Sequence, residues 1–157
     1  MLKQYAIAEK SYQKALSIFL ENKSFEPDDI KKLSAGIYHQ LGRVAEEQRQ
    51  WEQAENYYKQ ALQIKIDFND RFSQASTYRQ LGIVAQQQRQ WEQARQYLLE
   101  TLKISAEFSD QHVLSITLRT LARLWEDSGD KNLPAATAPI LSSTPEEVTE
   151  LLRGLLD

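Results

Sequence analysis

The chain has 157 residues, 41% apolar and 26% charged, with a net charge of −3 and a pI near 5.5. Five glycines and four prolines are too few to turn an all-β chain every 8–12 residues or so, and residues 28–133 lack proline entirely, so an all-α fold is expected. The acidic balance disfavours nucleic acid, and the absence of cysteine excludes disulfides, thiolate catalysis and cysteine-ligated zinc. No apolar run approaches a membrane span, so a soluble, cytoplasmic chain is expected.

In chain order, the first expected element is half a repeat, residues 2–22, in which Tyr5, Ala8, Tyr12, Ala15, Leu16 and Ile18 take the places of Trp51, Ala54, Tyr58, Ala61, Leu62 and Ile64. A longer loop is expected across Asn22–Asp28. Two full helix pairs follow, at about 28–67 and 70–107, and a degenerate third repeat starts at 110. The repeat is firm. Tyr38–Thr77 aligns without gaps to Tyr78–Thr117 with 19 identities in 40 positions. The second helix of the first full pair carries Trp51, Ala54, Tyr58, Ala61 and Leu62 at helical spacing. The early stripe matches this one at an offset of 46.

Gln48-Arg49-Gln50 is expected as the tight junction within a pair, and Asn69-Asp70 and Ser109-Asp110 as N-caps of the helices that follow them. Gly42 and Gly82 lie amid good helix formers, where glycine costs about 1 kcal/mol relative to alanine. They are read as notches for a bulky side chain of a neighbouring helix, such as Tyr58 or Tyr12. Trp51 and Trp91 are read as packing anchors.

The repeat frame dissolves after Gly129, where Pro134 stands at the place of Ala54 and Ala94. A short or kinked helix is expected around Pro139. Thr144-Pro145-Glu146-Glu147 is a capping-box start for a helix at 145–156, whose Val148, Leu151, Leu152 and Leu155 would cover the last repeat's apolar edge. Domain limits are therefore expected at 1–130 and 131–157. The tail could also be read as a helix-turn-helix, and hence as the tail of a DNA-binding regulator. Its net charge of −3 over residues 133–157 argues against phosphate contact.

Tyr38, Leu41-Gly42, Ala45, Ala54, Tyr58 and Ala61, and again Tyr78, Leu81-Gly82, Ala85 and Ala94, resemble the tetratricopeptide repeat. The 40-residue period is similar to the longer variant of kinesin-light-chain-like and bacterial proteins, and the glutamine-rich wording to cyanobacterial arrays. Three features depart from the pattern. Arg49 and Arg89 replace the junction glycine, Leu98 and Thr101 replace an aromatic and an alanine, and no first helix precedes Tyr5.

The resemblance implies an α-solenoid of antiparallel helix pairs with a right-handed superhelical groove, a C-terminal capping helix and a non-catalytic role in binding a protein or peptide. It also implies a place within a larger multidomain protein. Carried over position by position, the groove residues are His39, Arg43, Glu46 and Glu47, then Arg79, Ile83 and Gln86, then Arg119, Arg123 and Glu126, beside Gly36, Ser76, Gln87, Ile116 and Asp127.

Pairs such as 39 and 43, or 119 and 123, share a helix face by spacing alone. His39, Arg43, Arg79, Arg119 and Arg123 would form a basic strip flanked by acids, suited to an acidic protein segment because the arginine fork matches a carboxylate. An alternative is self-association through Tyr5, Tyr12 and Phe19, left exposed without a first helix. No cofactor, metal or catalytic residue is expected. His39 and His112 fit no ligand spacing, and Glu46-Glu47 and Glu146-Glu147 are neighbours in sequence rather than on a shared face.

Overall fold

A computed structural model describes residues 2–21 and 26–156. Among them are eight helices and no strand: α1 (Leu2–Glu21), α2 (Pro27–Glu47), α3 (Trp51–Asp67), α4 (Arg71–Gln87), α5 (Trp91–Glu107), α6 (Gln111–Ser128), α7 (Leu133–Leu141) and α8 (Pro145–Gly154). The all-α expectation is met. Two compact units divide the chain, Met1–Arg71 and Phe72–Asp157. Residues 22–25 of the expected long loop lie outside the described residues. Pro27, expected in that loop, instead takes the first turn of α2, where its missing N–H removes no helix bond.

In the first unit, α2 and α3 form a tight antiparallel pair joined through Gln48–Gln50. Ala54, Tyr58 and Ala61 of α3 are fully buried. The Tyr58 ring lies on Gly42, where a Cβ would stand only 2.6 Å from two ring carbons. Tyr38 stacks on Tyr57 with ring centroids 6.4 Å apart. The α1 stripe packs on α2. Tyr5, Tyr12 and Phe19, expected as exposed, are half-buried there, and the open face of α1 instead shows Ile7 and Ile18. The cause is helical phase, since 5, 12 and 19 are seven apart and stay on the α2 side, while 7 and 18 lie roughly a third of a turn away.

In the second unit, α4 and α5 repeat the pairing with Leu98 in place of Tyr58. A Cβ on Gly82 would meet Leu98 Cγ at 2.7 Å. Thr101, standing where an alanine is usual, is fully buried but satisfied, as its hydroxyl donates to the Tyr97 carbonyl at 3.0 Å. Thr117 and Thr137, also buried, donate to the carbonyls of Val113 and Leu133 in the same way. The core runs from Ala94, Leu98 and Leu102 through Leu121 and Leu124 to Leu133, Val148 and Leu152.

As expected, α7 is brief and holds Pro139 inside it. The α8 capping box is complete. Glu147 N donates to Thr144 Oγ1 at 3.2 Å, and Thr144 N donates to Glu147 Oε2 at 2.9 Å. Val148 and Leu152 are the α8 side chains buried in the core.

The junctions correct one expectation. Asn69 and Ser109 do not cap the following helices; they close the preceding ones, with φ of 54° and 55°. Asn69 N donates to Ile66 O at 2.9 Å and Asp70 N to Lys65 O at 2.8 Å, the paired bonds that end a helix on a left-handed residue. Gln90 N closes on Ala85 O at 2.8 Å in the same pattern around Arg89. Asp110 does cap α6, accepting from Val113 N at 3.0 Å.

Arg49 and Arg89 occupy this left-handed position with φ of 58°, where an L side chain crowds its own carbonyl by about 1–2 kcal/mol. Glycine avoids that crowding but loses more chain entropy on folding. Arg49→Gly and Arg89→Gly are therefore expected to stabilise the fold by a few tenths to about 1 kcal/mol each in urea melts. Gly129→Ala, at φ 63° with open space around the would-be Cβ, should destabilise it by a similar amount.

Candidate functional site

The residues expected to bind lie on the first helix of each pair, α2, α4 and α6. On α2, His39 and Glu46 are half-buried, while Arg43 and Glu47 are exposed. Tyr58 joins two of them. Its hydroxyl donates to Glu46 Oε2 at 2.7 Å, and its ring stands 5.3 Å from the His39 ring. Arg43 reaches only Gln40, at 3.5 Å.

Glu47 accepts from the Tyr5 hydroxyl of α1 at 3.3 Å. The Glu47 charge beside the phenol, with some desolvation, holds the Tyr5 pKa above the ordinary 10.0. The sign follows from the direction of that shift: the contribution of this contact to stability is whole below pH 10.0 and is lost as pH rises through the raised value. Glu47→Gln should bring the Tyr5 phenol back toward 10.0, read by ultraviolet titration against a Tyr5→Phe control.

In the second unit, Arg79, Ile83 and Gln86 follow one another along α4 at i, i+4, i+7, and all three are half-buried. On α6, Arg119, Arg123, Glu126 and Asp127 are exposed along one stripe, with Ile116 half-buried at its start. Gln86 ties the two stripes together, its Nε2 donating to Asp127 Oδ2 at 2.7 Å. Position 98 is Leu, so no hydroxyl stands where Tyr58 meets Glu46, and the Gln86 amide turns to α6 instead. Among the described residues, Arg79, Arg119, Arg123 and Glu126 form no hydrogen bond or ion pair. The pairing of these arginines with neighbouring acids, an arrangement i, i+3 spacing permits for Arg123 and Glu126, does not form.

Sequence reasoning passed over the two phenols that take up Glu46 and Glu47. Tyr58 was legible as a core residue and Tyr5 as an apolar one, because spacing reports the direction of a ring and not the partner of its hydroxyl.

The tetratricopeptide repeat profile matches residues 1–67 and 73–132, well over half of the chain. The chain belongs to the tetratricopeptide repeat family. A search of curated proteins returned no match. Among solved structures, the crystal structure of BtubC (BKLC) from P. vanneervenii superposes with a TM-score of 0.71 at 20% identity, covering 87% of this chain. The tetratricopeptide repeat chain spans 53% of that protein's length. At this identity the likeness establishes the fold, an all-α solenoid class built of helix pairs. Repeats of this family generally mediate protein–protein interaction. Among the described residues, no helix is long and apolar enough to cross a membrane.

Proposed function

We propose that the chain is a non-catalytic recruitment module, acting in the cytoplasm, that binds an acidic protein segment on the basic row of its first helices. Arg79, Arg119 and Arg123 form that row in the second unit, and His39 and Arg43 hold the equivalent positions on α2 of the first. One observation carries the reading. Three of the acids beside these cations are occupied by the protein's own groups, Glu46 by Tyr58, Glu47 by Tyr5 and Asp127 by Gln86, whereas the side chains of Arg79, Arg119 and Arg123 have no partner among the described residues. Guanidinium groups left in this state keep their donors for carboxylates of another chain, and bidentate pairing gives them geometric selectivity.

The test is photo-crosslinked capture from cell extract with wild type and with Arg119→Glu/Arg123→Glu, the crosslinked segment being sequenced by mass spectrometry. Wild type should yield an acid-rich segment whose capture weakens as salt rises, and the reversal should lower that yield about tenfold or more. Equal yield from both proteins, with both folded, would refute the proposal.

A second reading, self-association, is favoured by α1. Ile7 and Ile18 are 64% and 52% exposed on one side of the helix, eleven residues and therefore three turns apart. Light scattering should show mass rising with concentration in wild type but not in Ile7→Lys/Ile18→Lys. A mass that stays monomeric throughout removes this reading.

A further inference from the structure

We infer that the face formed by α4 and α6 selects a segment of mixed charge, carboxylates followed along the α6 axis by a base, and that Glu126 sets this requirement. The inference rests on the acidic-segment reading above and names the partner's pattern. It starts from the repeat. Positions 46, 86 and 126 are equivalent, and the residue facing the first of them is Tyr58. Its counterpart at 98 is Leu, and 138, the same 40-residue offset further on but past the point where the repeat frame dissolves, is Ala; neither has a hydroxyl to give. Position 86 is Gln, whose amide donates to Asp127. Position 126 is Glu. Ala138 is buried in the core of the second unit and offers nothing to it.

Glu126 is thus an exposed carboxylate with no internal donor, on the same stripe as two unpartnered arginines. It lies three residues after Arg123 and seven after Arg119, about 4.5 Å and 10.5 Å along the axis. A uniformly acidic segment covering this stripe must set a carboxylate beside Glu126, which like-charge repulsion opposes. A segment that changes sign within one or two turns satisfies all three residues. Glu126 is therefore a specificity-determining residue, and the arginines supply the attraction.

The experiment uses the full chain at low ionic strength and two synthetic peptides of equal length, one uniformly aspartate-rich and one with aspartates followed by lysines. Binding is read by NMR shift titration on wild type, Glu126→Gln, Glu126→Arg and Arg119→Glu/Arg123→Glu. Wild type should prefer the mixed peptide about threefold, the range of one exposed charge pair. Glu126→Gln should weaken that preference, the Asp127 charge beside it remaining, and Glu126→Arg should invert it. If wild type binds both peptides equally and Glu126→Arg leaves the ratio unchanged, the inference falls while the acidic-segment reading stands. If neither peptide binds wild type, or if binding survives the arginine reversal, the acidic-segment reading falls too.

Discussion

Gly42→Ala is expected to destabilise the fold by about 1–2 kcal/mol, although alanine is the better helix former. Overpacking costs typically 1–3 kcal/mol, and the gain in helix propensity is at most about 1 kcal/mol. The crowding term dominates here because the new methyl would sit 2.6 Å from Cδ1 and Cε1 of Tyr58. That ring cannot swing aside cheaply. It is fully buried, and its hydroxyl is held on Glu46 at 2.7 Å. Gly82→Ala should behave alike, since its methyl would meet the Leu98 branch carbon at 2.7 Å as well as its Cδ2 methyl at 2.8 Å, and the fully buried side chain has no free space to turn into.

Urea denaturation of Gly42→Ala, Tyr58→Ala and the double variant tests the mechanism. The double variant should be more stable than the sum of the single losses predicts, by about 1 kcal/mol or more, because removing the ring removes the clash. Strict additivity would mean that the notch is not what keeps glycine at position 42.

Leu152→Ala should cost about 2–5 kcal/mol, whereas Leu151→Ala, one residue away, should stay within about 0.5 kcal/mol. Leu152 is wholly buried in the core of the second unit beside Val148 and Leu133, and truncation leaves a cavity there. Leu151 is 41% exposed and loses little when shortened. Thermal melts of the two variants separate these outcomes. Equal, small losses would show that α8 lies loosely on its neighbours rather than closing the core.

Periodicity alone could not have told these leucines apart. Val148, Leu151, Leu152 and Leu155 form a single stripe by spacing, wide enough that α8 could have turned either edge of it inward. The packing of α6 and α7 chose Val148 and Leu152. The same limit explains Tyr5, Tyr12 and Phe19. Their seven-residue spacing made one face plain, but whether α2 or solvent met that face depended on how the two helices dock. At the junctions the sequence misled for another reason. Asn and Ser are good at capping a helix start and also tolerate the left-handed conformation that closes one. With only three residues between two helices, the closing bonds of Asp70 N and Asp110 N decided the role of the middle one.

The candidate site was legible as a set of positions and not as a set of states. Internal repetition placed His39, Arg79 and Arg119 in register, and i, i+4 spacing set Arg119 and Arg123 on a common face. It could not show that Glu46 and Glu47 are occupied by phenols while Glu126 is not, since those contacts join residues 12 and 42 positions apart in the chain.

The all-α class, the 40-residue period, the places of the helix junctions, the glycine notches and the α8 capping box were determined by the sequence by itself. All of them depend on neighbours within a turn or two, or on a pattern repeated along the chain, and local chemistry suffices for both. The buried edge of α8, the exposed side of α1 and the pairing of each charged residue on α2, α4 and α6 were decided by the tertiary structure alone. Each of those depends on which distant side chain completes a contact, and rotating a helix by a fraction of a turn changes the answer without altering a single local preference.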